Sequence, residues 1–366
     1  MRVLMVSKAC IVGAYQRKLE ELACLPEMEL TVVVPPYWRD ERGTLELERQ
    51  HTEGYDLVVE PMAFNGRFHL HFYPGLGRQI RRVQPDLVHI DEEPYNLATA
   101  HALWLTRRQG AKSLFFSWQN ILRRYPLPFR MLERYVLGHV DYAIVGNQES
   151  GQVWRAKEYR GPMSVIPQFG VDPEIFSPAR RPAGRGFVVG YVGRLVEEKG
   201  VDLLLEALSG LEGTWRAYIL GSGPAGETLR NQARRLGLAN RVSFDNWIPT
   251  SQMPAYYHQL DALVVPSLTR PNWKEQFGRV LVEAMACGVP VIGSDSGEIP
   301  HVIGDAGLIF PEGQVKVLRA HLARLLGNPD VRAELARRGR ERVLAHFTQA
   351  QVAAQTYKVY RAVLTA

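Results

Sequence analysis

The sequence has only three cysteines, Cys10, Cys24 and Cys287, and no C-x-x-C pair. That spacing predicts free thiols in a reducing cytosol. No apolar run approaches the roughly 20 residues that a membrane-spanning helix needs. Lys8 interrupts the apolar start of the chain too early for a signal peptide. These absences predict a cytoplasmic protein.

Lysine is also scarce, because only 8 of the 44 basic residues are Lys and Arg carries most of the net charge of +6. An Arg-rich surface suits phosphate-bearing ligands or an anionic membrane face, and a general compositional bias explains it equally well. Hydrophobic residues make up 46% of the chain and charged residues 22%, which is a folded, globular balance. At 366 residues, two domains of about 150–180 residues each are expected.

Short apolar runs alternate with helical patterns through the first half of the chain, which predicts a parallel sheet with crossover helices. The predicted strands are 3–6, 30–34, 57–59, 87–90, 114–117 and 142–145, and the predicted helices include 17–24, 77–83 and 98–108. A stretch rich in Pro, Gly and Arg at 177–186 then breaks the periodicity and is predicted to be an interdomain linker.

A second alternating series follows this stretch. Its predicted strands are 187–192, 217–220, 242–244, 262–265 and 291–293, with helices at 201–208, 227–236 and 253–258 and a last helix near 349–364. The fold class is therefore predicted to be α/β, with two Rossmann-like domains facing a central cleft. Open parallel sheets bind ligands at their carboxyl edges, so the ligand is expected in that cleft.

Two glutamates eight residues apart, Glu275 and Glu283, flank Gly278 and a helix-forming run that stops at 288–290. If Gly278 opens the helix, Glu275 lies before its first turn and Glu283 lies inside it, with the carboxylates about 10–12 Å apart. The unpaired N–H groups between them suit an anion. A nucleotide sugar has hydroxyls at both ends and phosphates between, and it fits this layout.

A turn between a predicted strand and a helix supplies two cations, Arg194 and Lys199. Both side chains can reach a diphosphate held near the helix N-terminus. In isolation they would be interpreted as solvated surface cations. The two glutamates on another strand-to-helix edge of the same sheet favour a binding site.

On these residues the chain resembles the retaining glycosyltransferases of family 4, which have the two-domain GT-B architecture. The resemblance rests on Gly193-Arg194-Leu195 with Lys199-Gly200, the Glu275/Glu283 pair, 296–300 and 305–310. It is dense over 187–345 and looser before. It implies that 1–176 binds the acceptor, that 187–345 binds the nucleotide sugar, and that 346–366 is a helix crossing back towards the first domain.

The resemblance also implies roles for single residues. Arg194 and Lys199 would neutralise the diphosphate, Glu283 would bind the ribose hydroxyls, and Glu275 would contact the transferred sugar. Backbone amides at Phe277 and Gly278 would assist Glu275. The family needs no metal for catalysis, and no cofactor is expected beyond a donor with UDP or GDP.

The loop Gly221-Ser222-Gly223-Pro224-Ala225-Gly226 spells G-x-G-x-x-G after a strand, and Asp245 follows about twenty residues on. That pattern is shared with NAD-dependent enzymes. Pro224 inside the turn and the position on the second strand of its half argue against a dinucleotide. The resemblance instead makes Gly221 and Gly223 part of a nucleotide-base pocket, with Gly193 alongside and Trp247 and Ile248 nearby.

The first half departs from the family at 117–120, where a histidine often faces the donor sugar. Gln119 and Asn120 stand there instead, and neither takes up a proton near neutral pH. This favours a front-face mechanism in which the departing phosphate accepts the proton of the acceptor. A plain strand-to-loop turn with an Asn cap is the competing interpretation.

Three further residues of the first half follow predicted strands. Gly13 is a candidate for the family's loop that approaches the diphosphate, and Glu92 or Glu93 is a candidate for gripping acceptor hydroxyls. A solvated acidic loop is an equal alternative for the two glutamates. His69 and His71 share a strand face, but no third ligand lies near them in sequence, so a structural role is preferred over a metal site.

A basic stretch interleaved with aromatic and leucine residues runs through 104–134. Its cations are Arg107, Arg108, Lys112, Arg123, Arg124, Arg130 and Arg134. Such a face can lie peripherally on the inner, anionic face of a membrane. A solvated helix exterior over a buried core is the preferred interpretation.

The sequence as a whole predicts a retaining, metal-independent hexosyltransferase that uses a nucleoside diphosphate sugar and a hydroxyl acceptor. The acceptor is a saccharide, a lipid-linked glycan or a small molecule. A glycoside hydrolase needs its carboxyl groups about 5–9.5 Å apart, closer than expected for Glu275 and Glu283. An NAD-dependent enzyme and a non-catalytic nucleotide-sugar binder stay open as alternatives, whereas no aromatic platform or motif supports nucleic-acid binding.

Overall fold

The computed structural model describes residues 1–40, 43–179 and 186–366, and contacts divide this chain into two compact units. The first unit comprises Met1–Gly170 together with Gln349–Ala366, and the second comprises Val171–Thr348. The chain thus enters the second unit after Gly170, ahead of the predicted linker at 177–186. Residues 180–185 of that linker lie outside the described residues.

The first unit alternates strands and helices along the chain, as the apolar pattern predicts. Its elements are β1 (Arg2–Val6), α1 (Gly13–Ala23), β2 (Glu29–Val34), β3 (Tyr37–Asp40), β4 (Gly43–Glu46), β5 (Asp56–Val59), α2 (Leu76–Val83), β6 (Leu87–Ile90), α3 (Leu97–Gln109), β7 (Lys112–Ser117), α4 (Phe129–His139), β8 (Tyr142–Val145), α5 (Gln148–Ala156) and β9 (Met163–Val165). A single 3-10 turn spans Ala9–Ile11.

Seven of these strands form a parallel sheet in the order β5-β2-β1-β6-β7-β8-β9, while β3 and β4 pair as an antiparallel hairpin. The central strands are buried on both faces, which explains their uninterrupted apolar runs. Apolar clusters lie on either side of the sheet, one around Leu19 and Val32 and the other around Phe115 and Trp154.

The second unit repeats the alternation. Its elements are β10 (Phe187–Val192), α6 (Val201–Ser209), β11 (Trp215–Leu220), α7 (Gly226–Arg235), β12 (Val242–Asp245), α8 (Met253–Tyr257), β13 (Ala262–Val265), α9 (Arg279–Ala286), β14 (Val291–Ser294), α10 (Ile299–Ile303), β15 (Leu308–Phe310), α11 (Val315–Gly327) and α12 (Pro329–His346). The last helix, α13 (Gln349–Thr365), belongs to the first unit. Single 3-10 turns span Glu197–Lys199 and Thr250–Gln252.

The six strands of the second unit form a parallel sheet in the order β12-β11-β10-β13-β14-β15. The carboxyl ends of β10, β11 and β13 therefore lie side by side. The loops that follow these three strands carry Arg194, Lys199, Gly221 and Glu275. The α/β class and the two Rossmann-like domains predicted from the sequence are confirmed.

Two features of the first unit differ from the predicted elements. Helix α1 begins at Gly13, earlier than the predicted 17–24, and the carboxylate of Glu48 accepts the N–H of Gly13 at 2.7 Å. A partner 35 positions away caps this first turn, so no local pattern announces it. The β3–β4 hairpin also falls outside the predicted strands, because its exposed residues lack an apolar alternation.

Candidate active site

The centre of the site is the start of helix α9 in the second unit. The helix begins at Arg279, directly after Gly278, which has a left-handed φ of +74°. That conformation costs glycine nothing and strains residues with a side chain. The predicted opening of the helix at Gly278 is therefore confirmed, with Glu275 before the first turn and Glu283 inside the helix.

Glu275 and Lys199 meet in a direct ion pair. Lys199 Nζ lies 2.6 Å from Glu275 Oε2, and Ser267 Oγ donates to the same oxygen at 3.0 Å. The ammonium also lies 4.7 Å from the centre of the Trp273 ring, within range of a cation–π contact. The lysine side chain is 21% exposed and the glutamate side chain 12%, so the pair is largely shielded from water.

The turn that carries Lys199 is anchored to the segment after β13. The N–H of Leu268 donates to the carbonyl of Glu198 at 2.8 Å. A side chain at Gly200, which has a φ of +63°, would collide with the carbonyl of Pro266. The glycine thus allows the two loops to touch backbone to backbone, and this contact brings Lys199 to Glu275.

A second close backbone contact holds Glu275. The N–H of Glu298 donates to the carbonyl of Glu275 at 3.1 Å. Gly297 has a φ of +52°, and a Cβ there would overlap the same carbonyl. The motif at 296–300 therefore supports the loop that presents the glutamate.

Glu283 is held by two partners. Its Oε2 accepts the hydroxyl of Tyr257 at 2.8 Å, and its Oε1 lies 2.7 Å from Arg279 Nε one turn earlier. The Tyr257 side chain is completely buried, and burial together with the neighbouring carboxylate raises the pKa of its hydroxyl well above the usual value. Tyr257 thus acts as a fixed donor that positions the Glu283 carboxylate.

The loops after β10 and β11 interlock through glycine. A Cβ at Gly221 would collide with the carbonyl of Gly193, and one at Gly223 would collide with the carbonyl of Leu195. Leu195 in turn donates to the carbonyl of Ser222 at 2.9 Å. These contacts give Gly221 and Gly223 a structural reason that does not involve a dinucleotide, and Gly193, which has a φ of +154°, supplies one of the two carbonyls.

The remaining predicted site residues of the second unit are Arg194, Trp247, Ile248 and Phe277. Arg194 is exposed, and its side chain has no hydrogen bond or ion pair with any described residue, while its carbonyl accepts the hydroxyl of Tyr191 at 2.9 Å. Trp247 is 67% exposed and Ile248 is partly buried beside it. Phe277 packs its ring 5.8 Å from that of Phe347. An exposed guanidinium and an exposed indole are both accessible to a ligand.

In the first unit, Glu93 caps the end of strand β7. Its carboxylate accepts Ser117 Oγ at 2.6 Å and the N–H of Trp118 at 2.8 Å. Burial raises the pKa of Glu93 to about 7, although these hydrogen bonds act against the rise. Gln119 and Asn120 are buried, with Gln119 Nε2 donating to the carbonyl of Ile121 at 3.0 Å and Asn120 Nδ2 donating to Glu149 at 3.3 Å.

Glu92 faces a different set of groups from its neighbour. Its oxygens lie 3.4 Å from Lys8 Nζ and 3.4 Å from His71 Nε2. Burial would raise the pKa of Glu92, but Lys8 and His71 outweigh it and lower the pKa to about 2. His69 contacts Asn96 rather than His71, with 3.2 Å between Nδ1 and Oδ1.

Three contact residues were not predicted from the sequence, namely Tyr257, Ser267 and Trp273. Each is a single side chain that belongs to no motif, and only the fold brings it to Glu283, Glu275 or Lys199. The described residues hold no group of three or more His, Cys, Asp or Glu arranged to bind a metal ion. In the same residues, no helix has the length and apolarity to cross a membrane.

Solved structures with the same architecture define the class of fold. Anabaena HepE in complex with UDP aligns with a TM-score of 0.73 at 18% identity over 99% of this chain and 100% of that one. Sucrose-phosphate synthase from Thermosynechococcus elongatus aligns with a TM-score of 0.72 at 21% identity over 99% of each chain. The fold is therefore that of the GT-B glycosyltransferases. Residues 174–342 match the family model of the glycosyl transferases group 1.

Curated relatives match about half to two thirds of the chain. A GDP-mannose-dependent alpha-(1-6)-phosphatidylinositol monomannoside mannosyltransferase of Mycolicibacterium smegmatis is 33% identical over 201 residues, 52% of this chain and 53% of that protein. D-inositol 3-phosphate glycosyltransferase of Corynebacterium glutamicum is 30% identical over 256 residues, 63% of this chain and 59% of that protein. The chain thus spans about half the length of the curated relatives it matches.

Proposed function

We propose that this chain is a retaining glycosyltransferase that moves a hexose from a nucleoside diphosphate sugar to a hydroxyl acceptor. The observation that carries the proposal is the Lys199–Glu275 ion pair at the start of helix α9, with Glu283 held inside the same helix. A cation, helix N–H groups and two carboxylates suit a diphosphate flanked by hydroxyl-bearing groups. The match of residues 174–342 to the family model of the glycosyl transferases group 1 supports it.

In the proposed reaction the bond between the anomeric carbon and the diphosphate oxygen breaks, and the acceptor oxygen bonds to the same face of that carbon. The acceptor proton passes to the departing phosphate. Lys199 and Arg194 stabilise the charge that grows on the diphosphate, and this difference between ground and transition state lowers the barrier. Glu275 orients the sugar hydroxyls and Glu283 the ribose hydroxyls.

No side chain of this chain is assigned as the base. Gln119 and Asn120 do not titrate near neutral pH, and both are occupied by hydrogen bonds within the first unit. Glu93 is proposed to order the end of strand β7 rather than to take the proton, because it already accepts from Ser117 and Trp118. Metal independence is part of the proposal.

The donor carries UDP or GDP. A mannosyltransferase among the relatives is GDP-mannose-dependent, and a protein of the same fold has been solved in complex with UDP. The exposed Trp247 and the partly buried Ile248 beside the interlocked glycine loops are proposed to contact the base.

Thermal unfolding in the presence of nucleotides tests the proposal. UDP or GDP at about one hundred times its Kd is expected to raise the Tm by about 5–10 °C, since such binding adds about 2.7 kcal/mol of stability. Stabilisation by NAD alone would overturn the proposal in favour of the dinucleotide alternative. No stabilisation by UDP, GDP or ADP would overturn it as well.

Transfer itself is tested with Lys199→Met and a matched control, Lys316→Met, which changes an exposed lysine on α11. Donor turnover is expected to fall by a factor of about 10²–10³ in the first variant, as for removal of one charge-stabilising group. It should stay near wild type in the second. Equal turnover in all three proteins contradicts the assignment of Lys199, and stabilisation by nucleotide without any turnover points to a non-catalytic binder.

A further inference from the structure

Six large apolar side chains are exposed close together in the first unit. They lie in the segments 61–72 and 121–134 and are half of the twelve such side chains in the described part of the chain, with exposed fractions of 41% to 69%. We call them, with the arginines of the same segments, the apolar–arginine surface. Its apolar members are Phe64, Phe68, Leu70, Leu122, Leu127 and Met131.

Aromatic contacts join the two segments into one surface. The ring of His69 lies 5.8 Å from that of Tyr125 and 5.0 Å from that of Phe129. Phe68 and Leu70 flank His69 in the sequence. Leu127 lies midway in the sequence between Tyr125 and Phe129, the two aromatic residues that His69 contacts. The exposed side chains of the two segments are therefore neighbours in space.

The charge of this surface has a single sign. Five exposed arginines belong to it, namely Arg67, Arg123, Arg124, Arg130 and Arg134. Glu133 is the one acid in the two segments, and it is buried and bonded to Lys157. The arginines therefore have no exposed carboxylate in their own segments.

We propose that the apolar–arginine surface docks on a lipid bilayer with anionic headgroups. Apolar tips that stand out between cations match the boundary between headgroups and acyl chains, where the tips are buried and the guanidinium groups pair with phosphate. The sequence favoured a solvated helix exterior for the basic stretch. A solvated exterior does not explain why six large apolar side chains of this surface lie outside the core. The docking proposal does not depend on the proposed glycosyl transfer.

Co-sedimentation with lipid vesicles tests this docking. The full chain is expected to sediment with vesicles of phosphatidylcholine containing phosphatidylglycerol and to stay in solution with phosphatidylcholine alone. Binding should weaken at high salt, because screening shortens the reach of the arginines. No sedimentation with the anionic vesicles at low salt would refute the proposal.

Two double variants separate the apolar and the charged contributions. Arg124→Gln/Arg130→Gln is expected to reduce the partition coefficient about 25-fold, since each cation near an anionic surface contributes a factor of about five. Leu127→Ser/Met131→Ser should abolish binding while leaving thermal unfolding unchanged, because both side chains are exposed. The matched controls are Arg234→Gln/Arg235→Gln on α7 and Leu344→Ser on α12, which change exposed residues of the second unit.

The controls decide between this surface and charge in general. Equal losses in the control and test variants would refute the location of the docking site. Sedimentation equilibrium of the wild type and of Leu127→Ser/Met131→Ser covers the other occupant, a second copy of the chain. A dimer that dissociates in this variant, without vesicle binding by the wild type, would replace the membrane with self-association.

Discussion

The ion pair between Lys199 and Glu275 predicts a measurable coupling between the two residues. An exposed ion pair contributes about 0–1 kcal/mol, and breaking a fully buried one costs about 3–5 kcal/mol. With side chains 21% and 12% exposed and 2.6 Å between the charged atoms, we place the coupling between these limits, at about 2 kcal/mol. Lys199→Met keeps the side-chain stem beside Trp273, and Glu275→Gln keeps a group that accepts from Ser267.

A double-mutant cycle in urea measures this coupling. Each single variant is expected to lose about 2 kcal/mol in the free energy of unfolding, and the double variant should lose less than the sum by about the same amount. Transfer activity should behave differently, because the double variant lacks both proposed functional groups and regains no turnover. Additivity of the two stability changes within about 0.5 kcal/mol would refute the reasoning.

Two further predictions concern Glu283 and Glu93. Tyr257→Phe removes the 2.8 Å hydrogen bond to Glu283. We expect the free energy of unfolding in urea to fall by about 1.5–3 kcal/mol and nucleotide binding, measured by calorimetry, to weaken about tenfold. Unchanged nucleotide binding would contradict the positioning role of Tyr257. Because the pKa of Glu93 is raised from 4.5 to about 7 in the fold, wild-type stability should fall by up to about 3 kcal/mol between pH 4.5 and 7 and stay level above. Glu93→Gln should flatten this part of the urea profile, and an unchanged slope would refute the assignment.

Local patterns predicted the parts of the site that depend on a strand end or a helix start. Buried parallel strands have continuous apolar runs, and helix α9 opens at a glycine, so the positions of Lys199, Glu275 and Glu283 in the fold were predicted, while their roles stay predictions. The contact between Lys199 and Glu275 was not predicted. Their contact depends on the strand order of the sheet and on the approach of the turn at 197–200 to Pro266, which spacing along the chain does not contain.

In the first unit, too, a contact between residues far apart in the sequence was not predicted. Gly13 was predicted as a loop glycine that approaches a diphosphate, and its N–H instead donates to Glu48 in this structure. Nothing in the sequence around Gly13 identifies Glu48, because the two residues meet through the β3–β4 hairpin that precedes Glu48. The nucleotide role of Gly13 stays a prediction.

The return of helix α13 to the first unit has a consequence for how the chain folds during synthesis. Val352, Val359 and Tyr360 belong to a core with members as early as Val3 and as late as Ile166 in the first unit, and the Tyr360 hydroxyl lies 2.6 Å from His89 Nδ1. At about 5–20 residues per second, translation of residues 171–348 takes on the order of 10–40 s. Throughout that interval Tyr360 has not been synthesised, so its position in the core of the first unit is not filled. The second unit can therefore finish folding before the first, whose core stays incomplete until residues 349–366 have been synthesised.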